Sequence, residues 1–188
     1  FVLETYLADR KRAVEEHLFA SLPAAETRPA ILVEAMRHAV LSGGKRLRPI
    51  LCLAAAEAVG GSAEDARYAA TAVELLHTYT LVHDDLIDGS LLRRGMATLN
   101  ARWSPPATVL TGDFLFARAA KLAAETDNLA LMKLFSETLA TIVNGELTQM
   151  FTSRGLISRD NYYKRIYAKT ASLFEMTSRA ASMVSPAN

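Results

Sequence analysis

The run Ala69-Ala70-Thr71-Ala72-Val73-Glu74-Leu75-Leu76-His77-Thr78-Tyr79-Thr80-Leu81-Val82-His83-Asp84-Asp85-Leu86-Ile87 decides the fold. A helix made from it is apolar nearly all round until its last turn, so it must be buried on most faces. The helical spacing extends back to Ala63, and a helix is expected over 63–87. Working outward, abundant alanine and leucine and apolar residues at helical spacing place further helices at about 2–20, 27–42, 46–59, 105–126, 128–152, 159–167 and 170–184. Ser42-Gly43-Gly44, Gly60-Gly61-Ser62 and Ser104-Pro105-Pro106 punctuate them. No segment alternates with period two long enough to build a sheet, and no internal repeat is evident. The expected architecture is all-α: a helical bundle whose sites are made by polar residues pointing inward from facing helices.

Composition narrows the class. The chain has 188 residues, enough for one domain over 1–188 with a substantial core. With 51% apolar and 22% charged residues it belongs among folded globular proteins. Lysine and arginine number 21 against 20 acids, for a net charge of +1. Such a balance supplies no general field for nucleic acid or an anionic membrane surface, so any anion site must be local. Cys52, the lone cysteine, excludes an intramolecular disulfide and fits a reducing, cytoplasmic compartment. Its apolar neighbours make it a small core residue. No stretch is apolar and long enough to span a bilayer, and no stable membrane anchor is expected. The opening Phe1-Val2-Leu3-Glu4 lacks the form of a signal peptide and is expected to mark a processed or truncated start.

The chemistry is concentrated in residues 77–98. Asp84 and Asp88 stand one helical turn apart on one face, with Asp85 beside them. Three carboxylates this close repel one another, and they fall at the helix carboxyl end, where the macrodipole disfavours negative charge. Both effects call for a cation. Carboxylate oxygens without a cysteine or histidine ligand set suit magnesium, which keeps waters and bridges to substrate phosphates. A bare D-D-x-x-D is also what a solvated helix end looks like. Arg93 and Arg94 follow across a Gly-Ser turn, and paired arginines suit bidentate recognition of diphosphate. Gly43-Gly44-Lys45-Arg46-Leu47-Arg48-Pro49 adds a second basic cluster at a helix start, without the spacing of a Walker loop. His77 and Asp84 are seven residues apart and face the same way, about 10 Å apart along the axis. His83 projects off the acidic face and is at most a supporting neighbour.

At these residues the sequence resembles the trans-isoprenyl diphosphate synthases. Further agreement comes from Gly112-Asp113-Phe114-Leu115, Gly145-Glu146-Leu147-Thr148-Gln149 and Lys169-Thr170-Ala171-Ser172-Leu173-Phe174, in family order over residues 40–175. The resemblance implies an isoprenoid synthase-type helical bundle around a central cavity and a magnesium-dependent prenyltransferase. It would join isopentenyl diphosphate to an allylic diphosphate by ionisation, addition and proton loss. It further implies that Lys45, Arg48 and His77, helped by Arg94, hold the isopentenyl diphosphate. Asp84, Asp85 and Asp88 would bind magnesium, Arg93 and Lys169 would contact the allylic diphosphate, and Thr170 and Gln149 would sit by the reacting carbons. Tyr79, five residues before the first aspartate, implies a C15–C20 product. On a straight wheel Tyr79 is rotated off the Asp84 face, and the smaller Thr80 lines up better. A homodimer is expected from the family alone.

The family carries a second aspartate-rich motif on a later helix, and the sequence ends at Asn188 without it. The expectation is therefore a bundle lacking its carboxyl-terminal part, inactive as 188 residues alone. Two rivals remain at this stage: a terpene cyclase-like enzyme, which needs no second diphosphate site, and a non-catalytic partner subunit.

Overall fold

A computed structural model describes residues 2–24, 26, 29–152 and 158–185. Helices α1 (Leu3–Ser21), α2 (Ala30–Leu41), α3 (Leu47–Ala58) and α4 (Arg67–Ile87) come first. A two-stranded antiparallel hairpin, β1 (Leu92–Arg93) and β2 (Met96–Ala97), follows, and then the short α5 (Leu99–Arg102). Helices α6 (Pro105–Ala124), α7 (Leu129–Thr152), α8 (Arg159–Ile166) and α9 (Ser172–Val184) complete the described chain. A π-helical turn, Tyr167–Ala171, joins α8 to α9.

The all-α expectation holds, and α4 is the central helix. Every residue from Ala69 to Leu76 is buried, as an all-round apolar surface requires. It packs most extensively against α6, and also against α3, α9 and α1. Cys52 is fully buried on α3, and burial pushes its thiol up to about 12, which makes it a core residue rather than a nucleophile. No helix among the described residues is long and apolar enough to cross a membrane.

The differences from the sequence expectation are local. Helix α4 begins at Arg67, not Ala63, because Ser62 and Asp65 bind each other in a closed turn. The Ser62 amide and hydroxyl donate to Asp65 Oδ2, both at 2.8 Å, and the Asp65 amide donates to Ser62 Oγ at 3.2 Å. These bonds satisfy the chain before the helix starts. Helix α2 begins at Ala30, after Pro29 in extended conformation. The expected start at 27 lies outside the described residues. The hairpin was not anticipated, since two-residue strands leave no periodic signal. Its turn, Arg94-Gly95, has φ of +53° and +77°, the pair of positive values that a tight two-residue hairpin needs.

Candidate active site

The last turn of α4 separates the three acids. Asp85 points inward and is 6% exposed. It accepts two parallel hydrogen bonds from Arg93, Nε to Oδ2 and Nη2 to Oδ1, each 2.8 Å. The hairpin delivers Arg93 to this point, and the bond to Asp85 raises the guanidinium pKa further. Asp84 turns the other way, with Oδ2 3.6 Å from Lys169 Nζ. Asp88 caps the helix and is exposed. Among the described residues, no three acids or histidines converge as a ready metal cage. Burial pushes the Asp84 carboxyl above its ordinary value. Lys169 opposes that push, while Glu146 and Asp88 add to it. Negative charge from Asp84, Asp88 and Glu146 is crowded here, with Lys169 as its cationic neighbour.

Lys169 is presented by the π turn. Gly145 on α7 lets this turn approach closely: a Cβ at Gly145 would lie 2.5 Å from Ala168 Cβ. The next residue, Glu146, accepts from Lys169 Nζ at 2.7 Å. Thr170 is exposed in the same turn, and Gln149 is half-buried one helical turn after Gly145. A π turn inserted between two α-helices shifts the register, and such insertions gather at functional sites. Neither the π turn nor a role for Glu146 was foreseen. The sequence carries the Gly145-Glu146 motif, but nothing in its spacing pairs Glu146 with Lys169, 23 positions on.

Toward the amino end of the same face lies a basic pocket of about 430 Å³. Lys45, Arg48, His77 and Arg94 line it, together with Gly44, Leu47 and Phe174, and the paired Arg46 and Glu74 form part of its wall. Arg94 Nη1 donates to Gly43 O at 2.8 Å, and a Cβ at Gly44 would lie 2.5 Å from Arg94 Nη1. The glycine is thus the room that Arg94 occupies. Arg48 Nη1 donates to His77 Nε2 at 3.1 Å, and its guanidinium lies 4.4 Å from the Phe174 ring centroid. Burial, and then the surrounding arginines, lower His77 to about 3, so it stands neutral and accepts from Arg48. In the sequence Phe174 is only the last residue of the Lys169–Phe174 motif; the structure sets its ring under Arg48.

Arg46, expected among the anion-binding cations, serves the core. It is 4% exposed, with Nη1 2.8 Å from Glu74 Oε1 and Nη2 donating to Val40 O at 2.6 Å. Its backbone sits in the left-handed region at φ +51°, which turns the side chain inward while Lys45 stays exposed. A strict reading of charge in a loop cannot see that turn.

Sequence comparison decides the family: a model of the polyprenyl synthetases matches residues 29–188. The chain belongs to the polyprenyl synthetase family. It is 43% identical over 157 residues to an all-trans-nonaprenyl-diphosphate synthase (geranyl-diphosphate specific) of Rhodobacter capsulatus, which covers 82% of this chain and 48% of that protein. It is 37% identical over 165 residues to a geranylgeranyl diphosphate synthase of Saccharolobus solfataricus, covering 84% and 50%. In structure it resembles the geranylgeranyl pyrophosphate synthetase of the archaeon Geoglobus acetivorans, with a TM-score of 0.90 and 31% identity over 95% of this chain and 60% of that one. The chain spans about half the length of the curated relatives it matches.

In this polyprenyl synthetase chain the residues considered for product length part company. Tyr79 turns toward α6, its ring 4.7 Å from His83 and 5.5 Å from Phe116, centroid to centroid. Phe116 in turn lies 6.1 Å from Phe135 on α7. Thr80 donates its hydroxyl to His77 O at 2.8 Å, within its own helix. The close approach of α6 depends on Gly112, where a Cβ would run into the His83 ring. His83 therefore belongs to the α4–α6 seam, with Nε2 3.3 Å from Val109 O.

Proposed function

We propose that the full-length protein is a trans-prenyltransferase that condenses isopentenyl diphosphate with an allylic diphosphate. The observation that carries this reading is one helix serving two anion sites. The acidic end of α4 faces Lys169 and Arg93, and the basic pocket around His77 lies two turns away on the same face. About 10 Å of helix separates them, a spacing suited to two diphosphates whose carbon ends must meet. The second site is also what separates this reading from a cyclase, which binds one diphosphate.

Each residue has a task in this scheme. Lys45, Arg48 and Arg94 hold the diphosphate of isopentenyl diphosphate, with neutral His77 fixing the Arg48 fork. Asp85 aims Arg93, and Arg93 and Lys169 meet the allylic diphosphate and hold its charge as the carbon–oxygen bond breaks. Asp84 and Asp88, one turn apart and crowded with negative charge, suit magnesium, with Asp85 beside them. Magnesium bound there would neutralise the leaving diphosphate. Thr170 and Gln149 lie on the elements that border the resulting allylic cation, where their dipoles favour positive charge. The double bond of isopentenyl diphosphate then attacks, and loss of a proton to the departed diphosphate completes the extension. No side chain is assigned as the base.

The proposal extends to a C15–C20 product, supported by the bulk of Tyr79. Relatives are named for products as different as geranylgeranyl and nonaprenyl diphosphate, which makes length the part most in need of measurement. It also extends to a homodimer in the cytoplasm, supported by the family resemblance and, for the compartment, by the buried lone Cys52.

The test is direct. Full-length protein is incubated with magnesium, labelled isopentenyl diphosphate and five-, ten- or fifteen-carbon allylic primers, and the products are sized. Consumption of isopentenyl diphosphate with chain extension is expected. Conversion of the allylic primer alone would instead support a cyclase.

A further inference from the structure

We infer that Glu146 is a positioning residue of the reaction, holding the Lys169 ammonium at the Asp84 site ready for the allylic diphosphate. The inference rests on the prenyl-transfer reading above. Glu146 Oε1 and Lys169 Nζ are 2.7 Å apart, whereas Asp84 Oδ2 stands 3.6 Å from the same nitrogen. Of its two acidic partners, Lys169 is therefore bound by Glu146 and only attracted by Asp84.

The local fold is arranged around that pair. Gly145 removes the Cβ that would otherwise keep α7 off Ala168, and Glu146 and Lys169 each follow one of these two contact residues. The close backbone approach thus sets a short side-chain span between the acid and the ammonium. The π turn offers Lys169 at this level: α7, α8 and α9 pack against the turn, and Asp84 of α4 lies 3.6 Å from the ammonium.

Chemistry gives the arrangement its use. A lysine carries its charge on a flexible four-carbon stem, so its reach is gained at the expense of aim. When cations and diphosphate engage Asp84, that acid's hold on Lys169 is lost. Glu146 stays as the anchor on the α7 side and leaves the remaining N–H bonds of the ammonium to face the diphosphate. The pairing also cancels the Glu146 charge, which would otherwise repel an anionic substrate. Glu146 itself need touch neither substrate nor metal; it acts through Lys169.

A double-mutant cycle in the full-length enzyme tests this. Glu146→Gln is expected to lower kcat/KM for the allylic diphosphate by about tenfold or more, the range for losing a charge-assisted hydrogen bond. The KM for isopentenyl diphosphate and the melting temperature should not change. In a Lys169→Ala background the same substitution should have no further effect. Glu146→Asp should restore part of the loss, and it carries the comparison if Glu146→Gln does not fold. An equal loss with and without Lys169, or no loss at all, overturns the inference. Calorimetric binding of inorganic pyrophosphate with magnesium repeats the cycle without turnover. Coupling in binding but no consumption of isopentenyl diphosphate would overturn prenyl transfer and keep the Glu146–Lys169 relationship. Turnover without coupling would do the reverse.

Discussion

Arg93 and Asp85 form a two-pronged pair across the mouth of the hairpin, with both hydrogen bonds at 2.8 Å and the acid almost wholly buried. Of three acids in one motif, the middle one is bound to an arginine five residues past the motif's end, while Asp84 is half-buried toward Lys169 and Asp88 is exposed.

That division predicts different phenotypes within the motif. Asp85→Asn leaves Arg93 with a weakened, uncharged partner, so the arginine loses its aim while Asp84 and Asp88 remain. In full-length protein kcat should fall about ten- to a hundredfold, as expected for a misplaced charged contact, with magnesium dependence little altered. Asp84→Asn should shift the magnesium dependence itself to higher concentration. Activity measured against magnesium separates the two; identical titration curves for both variants would contradict the division.

Arg46 and Glu74 make the opposite kind of pair, one that belongs to stability. Burial raises the Glu74 carboxyl pKa, and Arg46 pulls it back toward the charged form. Removing one partner strands a buried charge, so Arg46→Ala should destabilise the protein by about 3–5 kcal/mol in denaturant unfolding. The double change Arg46→Met with Glu74→Leu should recover most of that loss, because a buried pair and a well-packed apolar pair are of similar worth.

These two pairs show what sequence could and could not reveal. Helices and their order were legible because long apolar periods such as Ala69–Ile87 admit few other solutions. Lys45, Arg48, His77 and Arg94 are grouped by the family resemblance rather than by their spacing, and in the structure all four line one pocket. Arg46, embedded among them, was not separable, since its inward direction depends on one left-handed residue and on Glu74, which is 28 positions away. The hairpin, the π turn and the contacts of Glu146 and Phe174 escaped for a shared reason. Each rests on a local backbone departure or a long-range pairing, and neither leaves a period in the sequence.

His77 gives the fold a pH dependence whose sign can be worked out. Its folded value, about 3, lies below its ordinary 6.5, so the unfolded chain binds the proton more readily. The stabilisation is fully present above about pH 6.5 and is lost as pH falls from there toward about 3. By pH 5 the loss amounts to at most about 2 kcal/mol. His77→Gln, which cannot take the proton, should flatten the fall between pH 6.5 and 5, read from urea midpoints of variant and parent at each pH. Parallel curves for the two proteins would assign the slope to other groups.

Product length turns on whether the tail path runs past Tyr79. The ring stands between His83 and Phe116, in the seam that Gly112 allows α4 and α6 to form, and behind Phe116 comes Phe135. A growing chain entering this seam meets three aromatic rings in series, so removing the first should open one stage and leave the next closed. Tyr79→Ala is therefore expected to lengthen the main product by a limited number of five-carbon units. Tyr79→Phe, which keeps the ring, should leave the length as it was. Adding Phe116→Ala to Tyr79→Ala should lengthen the product again, whereas Phe116→Ala alone should do little behind an intact Tyr79. Thr80, bonded to the His77 carbonyl within its own helix, should be nearly silent when changed to serine. If Tyr79→Ala keeps the parental product while the enzyme remains active, the tail takes another route, and the seam between α4 and α6 is packing alone.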